Sequence, residues 1–293
     1  MMTRRGFLKG TAAGLVGTAV ASKGLAADTG GAAPRIRLSA CDWSLGAGGP
    51  GGLEVAKRCT LDGLEVSPGG PADRLQIADP ATRAKLKEAA AKTGVAVSSV
   101  AMGLLNECPL ASDPRGPAWL EQVIEATADL GARAILLAFF GPGDLLEGTE
   151  LKAKEADVVV GRLKDAAPKA KQAGVILGVE SYLSAAQNLD LLKRIGSDSV
   201  RVYYDVRNST DKGYDVPAEI RTLGDRICQV HFKDGEHYLG EGKVDMDGVA
   251  ASMAAIGYSG WVVLETSCPS KDRDADFTRN AAYARKLLKI PAK

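Results

Sequence analysis

Histidine is scarce in this sequence: of 293 residues only His231 and His237 carry an imidazole. A His-rich centre holding several metals is therefore excluded. The five cysteines, Cys41, Cys59, Cys108, Cys228 and Cys268, match no zinc spacing and contain no CxxC pair. An odd count leaves at least one thiol over unless it pairs between chains, and buried small hydrophobes are the plainer reading. After the first thirty residues no apolar run approaches the length that spans a bilayer. The glycine-rich stretch 46–52 lacks a Lys-Ser/Thr ending, so it is no P-loop. Nor is there an excess of positive charge. Four of the 37 basic residues, Arg4, Arg5, Lys9 and Lys23, fall in the first 27 positions, which hold no acid. The remaining 33 stand against 36 acidic residues, net −3, which argues against a nucleic-acid partner.

Those first 27 residues read as an export signal rather than as fold. A charged start, a short run rich in Gly and Ala, and small residues from Ala21 to Ala27 make a signal peptide. Thr3-Arg4-Arg5-Gly6-Phe7-Leu8-Lys9 resembles the twin-arginine export motif. The expected location is the periplasm or beyond, with no membrane attachment after export. Residues 28–34 read as a polar linker, and 35–293 as one domain.

Within that domain short apolar runs alternate with amphipathic stretches. Strands are predicted at 35–40, 63–67, 95–101, 132–139, 174–180, 200–205, 227–231 and 261–265. Helices are predicted at 53–59, 80–93, 118–130, 150–173, 189–195, 216–223, 248–256 and 277–289. Residues 46–52, 102–117 and 235–247 are predicted loops. Strands rich in Val, Ile and Leu, separated by helices, belong to a parallel sheet covered on both faces. Eight such units make a (β/α)8 TIM barrel in a single domain.

The last four runs each end on a residue that can hold a metal. GVILGVES carries Glu180, VRVYYDVRN carries Asp205, ICQVHFKD carries His231 and GWVVLETS carries Glu265. In a closed barrel the strand C-termini converge on one mouth. Two Glu, one Asp and one His there suit one divalent ion, Mn²⁺ or Mg²⁺ first, with Co²⁺ and Zn²⁺ as alternatives. Lys233, two residues beyond His231, points into the same mouth by strand periodicity. It polarises a carbonyl, holds an anionic group, or pairs with a mouth carboxylate. Glu65 ends the second strand and either binds substrate or orients a ligand. Asn208 hydrogen-bonds a hydroxyl or caps a turn. Asn106 lies in the long third loop as a further substrate-binding candidate. Trp43 and Phe140 stand at strand ends, where they stack on a sugar ring or pack in the core. His237 and the run Asp272-Arg273-Asp274 read as surface.

The pattern resembles the xylose isomerase-like TIM-barrel superfamily. The residues that carry the likeness are Gly63-Leu64-Glu65, Gly178-Val179-Glu180, Tyr204-Asp205-Val206-Arg207-Asn208, Val230-His231-Phe232-Lys233-Asp234, Leu239-Gly240-Glu241-Gly242 with Asp245, and Leu264-Glu265. The resemblance implies that Glu180, Asp205, His231 and Glu265 bind the ion and that both glutamates act as acid/base catalysts. Two positions depart from the ketose epimerases. Asn208 stands where they carry a His, and Lys233-Asp234 replaces an Arg shortly after the strand-seven His.

The implied reaction is proton abstraction next to a carbonyl, through a metal-bound enediolate. The first expectation is a sugar isomerase or epimerase acting on a free, non-phosphorylated ketose or keto-sugar. A lyase that cleaves 3-keto-glycosides by elimination shares the same core set. A non-catalytic carbohydrate-binding barrel is the third reading, and the intact glutamates weigh against it. Related barrels often dimerise or tetramerise, so a homo-oligomer is also implied.

Overall fold

A computed structural model describes residues 36–291. The proposed export signal and linker lie outside the described residues, as does Arg35, the expected first residue of strand one. Eight parallel strands close into a barrel in chain order. They are β1 (Ile36–Cys41), β2 (Gly63–Val66), β3 (Ala96–Met102), β4 (Ala134–Phe139), β5 (Ile176–Ser181), β6 (Val200–Asp205), β7 (Ile227–Phe232) and β8 (Gly260–Leu264). β8 returns to pair with β1, Ile36 opposite Gly260 through Ala40 opposite Leu264. The single-domain (β/α)8 TIM barrel expected from the sequence is the fold observed.

Alternation along the strands sorts the side chains. Leu38, Leu64, Val100, Ile135, Leu137, Leu177, Val179, Val202, Val230 and Val262 point outward and join the helices in one large apolar cluster. The inward set is different in kind. Its apolar members, among them Ala101, Leu136, Ala138, Tyr203, Trp261 and Val263, form a separate small cluster. Among them sit buried Ser39, Glu65, Ser99, Glu180, Asp205, Gln229 and His231. Burying that many polar groups is costly unless each is paired, so the barrel interior is shaped by its hydrogen bonds.

Among the described residues ten α-helices accompany the barrel strands: α1 (Asp42–Leu45), α2 (Gly49–Arg58), α3 (Pro80–Thr93), α4 (Gly116–Asp129), α5 (Ala153–Ala173), α6 (Ala185–Ile195), α7 (Val206–Asp211), α8 (Val216–Leu223), α9 (Met246–Ala255) and α10 (Arg273–Leu287). Their ends follow local chemistry. Asp79 caps α3, whose far end stops at left-handed Gly94. Ser184 and Gln187 form a reciprocal capping box on α6. No described helix is long and apolar enough to cross a membrane.

Several boundaries differ from expectation. Residues 49–52 belong to α2 rather than to a loop, because Pro50 suits the first helical turn. The stretch 150–151 pairs with 146–147 in a small hairpin, so α5 starts at Ala153. The loop after β3 holds a 3-10 turn at Gly103–Asn106. α10 starts at Arg273 because the Asp272 carboxylate accepts from the Ala275 N–H, while Asp274 pairs with Arg58. That acidic run is therefore a helix cap and a tether, not merely a solvated face.

Candidate metal centre

Each of the four ligand candidates reaches the mouth by the same local logic. A strand buried on both faces delivers one polar side chain at or just past its C-terminal end. Glu180 is the next-to-last residue of β5 and Asp205 the last of β6. His231 is one residue short of the end of β7, and Glu265 follows β8 directly. One ligand atom from each lies within 4.8 Å of all the others.

The imidazole of His231 is fully buried and faces two ways. Its Nδ1 is 2.9 Å from Glu180 Oε1, 3.4 Å from Glu265 Oε2 and 3.9 Å from Asp205 Oδ2. Its Nε2 is 2.9 Å from Glu65 Oε1, on the side away from the cluster. Asp205 divides its carboxylate. Oδ1 accepts from the backbone N–H groups of Arg207 and Asn208, capping α7. Oδ2 is buried and has no hydrogen-bond partner. An orphaned carboxylate oxygen beside two more carboxylates and an imidazole is the donor set of a divalent-ion site. The residues present therefore fit one ion.

Electrostatics reflect the crowding. Burial pushes the Glu180 carboxyl up, with Glu265 and Glu65 adding to it against the pull of His231. Burial, with the charges of Glu265 and Glu180, pushes Asp205 up to about 7. Burial works in the same direction on Glu265, but the hydrogen bond and charge of His231, the Lys233 ammonium and the Trp43 N–H outweigh it and hold the carboxyl below its ordinary range. Burial disfavours the His231 cation, yet its neighbours, Glu180 and Glu65 among them, carry its pKa well above the usual value. Lys233 Nζ lies 3.1 Å from Glu265 Oε2 and is also raised: burial opposes the ammonium, but the surrounding carboxylates stabilise it.

A cavity of about 600 Å³ opens above the cluster. Glu180, Glu265, Lys233, Asn208, Asn106 and Trp43 all line it. Asn106 Oδ1 also accepts from the Phe140 N–H. Glu65 does not line it; this side chain is fully buried and meets His231 from below. His237 is exposed and lines no part of the cavity.

Sequence reasoning missed several residues here. Tyr182, two beyond Glu180, lines the cavity and meets Phe140 edge-on at 4.8 Å between ring centroids. Ala101, Leu136 and Ala138 make part of its apolar lining. Their inward direction was available from period-two alternation. Asp234 was likewise read only with Lys233. It is fully buried, and its carboxylate accepts from the N–H groups of Gly240, Gly242 and Val244. A Cβ at Gly242 would sit 2.2 Å from Asp234 Oδ1, so the Gly240–Gly242 motif is a loop wrapped on one carboxylate. All five cysteines are free thiols.

Residues 53–288 match the family model described as Xylose isomerase-like TIM barrel. One similar protein is SgbU of Escherichia coli (strain K12), whose name gives it, by inference, an L-ribulose-5-phosphate 3-epimerase activity. It is 30% identical over 242 residues, covering 74% of this chain and 82% of its own. An L-ribulose 3-epimerase of Mesorhizobium japonicum (strain LMG 29417 / CECT 9101 / MAFF 303099) is 28% identical over 253 residues, covering 80% and 78%. A solved structure of L-ribulose 3-epimerase superposes with a TM-score of 0.72 at 22% identity, covering 87% of this chain and 95% of that one.

Proposed function

The chain belongs to the xylose isomerase-like TIM barrel family, and from that premise we propose that it is a divalent-metal-dependent sugar epimerase or isomerase acting on a free ketose or keto-sugar. The observation that carries this reading is the meeting of Glu180, Asp205, His231 and Glu265 within 4.8 Å under a cavity of about 600 Å³. The two relatives named for ribulose epimerisation support the same reaction class.

Glu180, Asp205, His231 and Glu265 would hold the ion, Mn²⁺ or Mg²⁺ by the hardness of the donors. When bound it supplies Lewis acidity toward adjacent oxygens of a hydroxy-ketone. Glu180 and Glu265 come from strands three apart in the ring. One carboxylate removes the proton beside the carbonyl, and the other returns a proton to the resulting enediolate. Return to the same carbon from the other face inverts it, while return to the neighbouring carbon isomerises. Lys233 holds Glu265 and presents an ammonium to the cavity, where it steadies developing negative charge. Asn208, Asn106 and Trp43 supply polar and aromatic surface for the sugar.

Lys233 is also the one basic side chain among the described residues lining the cavity, and Glu265 already pairs with it. A single lysine already paired with a carboxylate offers a phosphate little charge-assisted hydrogen bonding, which favours an unphosphorylated substrate. The twin-arginine motif agrees, since sugar phosphates are mainly cytosolic. We take the mature protein, from about residue 28, to be exported to the periplasm; blocking of export in a chain with Arg4 and Arg5 both changed to Lys tests this.

A second reading rests on the size of the cavity. About 600 Å³, with Leu104, Leu136, Phe140, Trp43, Pro68 and Pro71 around it, matches pockets that take drug-sized ligands and exceeds one monosaccharide. A 3-keto-glycoside would fill it, and the same proton abstraction followed by elimination would release its aglycone. Metal analysis joined to a screen of ketoses for solvent deuterium uptake tests the first reading. Aglycone release from a 3-keto-glycoside without such uptake on free ketoses would replace it with the second.

A further inference from the structure

Below the cluster lies a buried network that the reaction does not touch. Glu65 is fully buried, and donors surround its carboxylate. Oε2 accepts from Ser99 Oγ at 2.7 Å and from Tyr203 OH at 2.7 Å. Oε1 accepts from Cys41 Sγ at 3.5 Å and lies 2.9 Å from His231 Nε2. The direction of these bonds is set one layer lower. Gln229 Nε2 donates to Ser99 Oγ at 3.2 Å and to Tyr203 OH at 3.1 Å. Both hydroxyl oxygens are thus accepting, and both hydroxyl protons are turned to Glu65. With both hydroxyl protons directed at Oε2, an ionised Glu65 is an acceptor only, and its 2.9 Å contact with His231 then places a proton on Nε2.

The backbone agrees. Among the described strands the ring has two register shifts. One lies between Leu64 and Glu65 and sets Glu65 opposite Ser99, while the other lies between Val202 and Tyr203 and sets Tyr203 opposite Gln229. Both irregularities fall on members of this network. Bulges re-aim side chains beside functional sites, and here they bring these four together under His231.

We propose that Glu65 is a positioning residue: by holding the Nε2 proton of His231 it reserves Nδ1, which faces Glu180, Asp205 and Glu265, as the nitrogen that exchanges its proton for a divalent ion, and so sets the affinity of that cluster for the ion. The inference rests on the metal-dependent reading above. A neutral imidazole has one donor and one acceptor nitrogen, and the partner of one fixes the role of the other. Carboxylates in this outer position typically strengthen ion binding roughly 10- to 100-fold.

The test measures Mn²⁺ affinity by competition with a chelating dye, on the wild type and on Glu65→Gln, Ser99→Ala and Tyr203→Phe. Glu65→Gln should bind Mn²⁺ roughly 10- to 100-fold more weakly. Ser99→Ala and Tyr203→Phe, which each remove one donor to Glu65, should weaken it less but measurably; they decide the matter if Glu65→Gln does not fold. Nitrogen-15 NMR of the Mg²⁺- or Zn²⁺-loaded wild type adds a readout that a merely structural role would not move. With only two histidines in the chain, the ring signals of His231 are separable, and its proton should reside on Nε2. Wild-type affinity in all three variants, or a proton on Nδ1, overturns the proposal while leaving the metal reading intact. A wild type that takes up no divalent ion overturns both.

Discussion

Trp43 Nε1 donates to Glu265 Oε1 at 3.1 Å, from a side chain that is 42% exposed at the lip of the cavity. Glu265 thus has both oxygens engaged, one by an indole and the other by Lys233. Trp43→Phe keeps the ring and removes the donor. A hydrogen bond to a charged group contributes about 1.5–3 kcal/mol, so turnover should fall by roughly 10-fold or more. Steady-state kinetics of the purified variant check this.

Glu180→Gln and Glu265→Gln keep the shape of the site and remove one proton-carrying group each. Each should reduce turnover by roughly 100- to 10,000-fold. Circular dichroism should stay that of the wild type. Full turnover in Glu265→Gln would end its assignment as a catalyst.

Asp205 places a buried carboxylate oxygen without a partner beside Glu180 and Glu265. In metal-free protein that arrangement destabilises the fold. Asp205→Asn relieves the repulsion and keeps the oxygen that caps α7. Melting of the metal-free variant should rise by about 1 kcal/mol, roughly 2–4 °C for a chain of this size. The same variant should lose the stabilisation that added Mn²⁺ gives the wild type. At an ion concentration 100 times Kd that stabilisation is about 2.7 kcal/mol.

Asp276 accepts from Tyr238 OH at 2.6 Å, from Ser270 Oγ at 2.7 Å and from the Ser270 N–H at 3.0 Å. Burial opposes its charge, but these hydrogen bonds and Arg279 hold its carboxyl below the ordinary value. A carboxyl depressed in the folded state contributes stability that is present above its unfolded pKa of about 3.9 and is lost as pH falls through the lower folded value. Asp276→Asn should therefore melt below the wild type at neutral pH. The gap should narrow as pH drops below about 4. Paired thermal melts from pH 7 to pH 3 measure it.

The strand ends were legible because a carboxylate or imidazole closing a run such as VRVYYD has no cheap place to go except a shared site. Asp205, read from the sequence as a ligand candidate, also caps a helix: one carboxylate oxygen caps α7 while the other faces the cluster. Ser99, Tyr203 and Gln229 were not legible. Barrel interiors are usually filled by branched apolar side chains, and nothing local marks a buried Ser or Gln as part of a network. The two register shifts also break the phase of alternation near Ser98 and Cys228, so counting by twos from Glu180 or Asp205 does not carry across to neighbouring strands. Helix starts at Gly49 and Arg273 were missed for a simpler reason, since cap residues outside the periodic stretch decide them.

The pairing of Ile36–Ala40 with Gly260–Leu264 gives the ring a seam between its first and last strands. Until Gly260 has been made, β1 and β7 are both raw edges, open to wrong partners. A nascent chain at that stage owns Glu180, Asp205 and His231 but not Glu265. The fourth ligand arrives on the residue directly after the strand that shuts the ring. On the metal-dependent reading proposed above, the step that shuts the ring also completes the donor set.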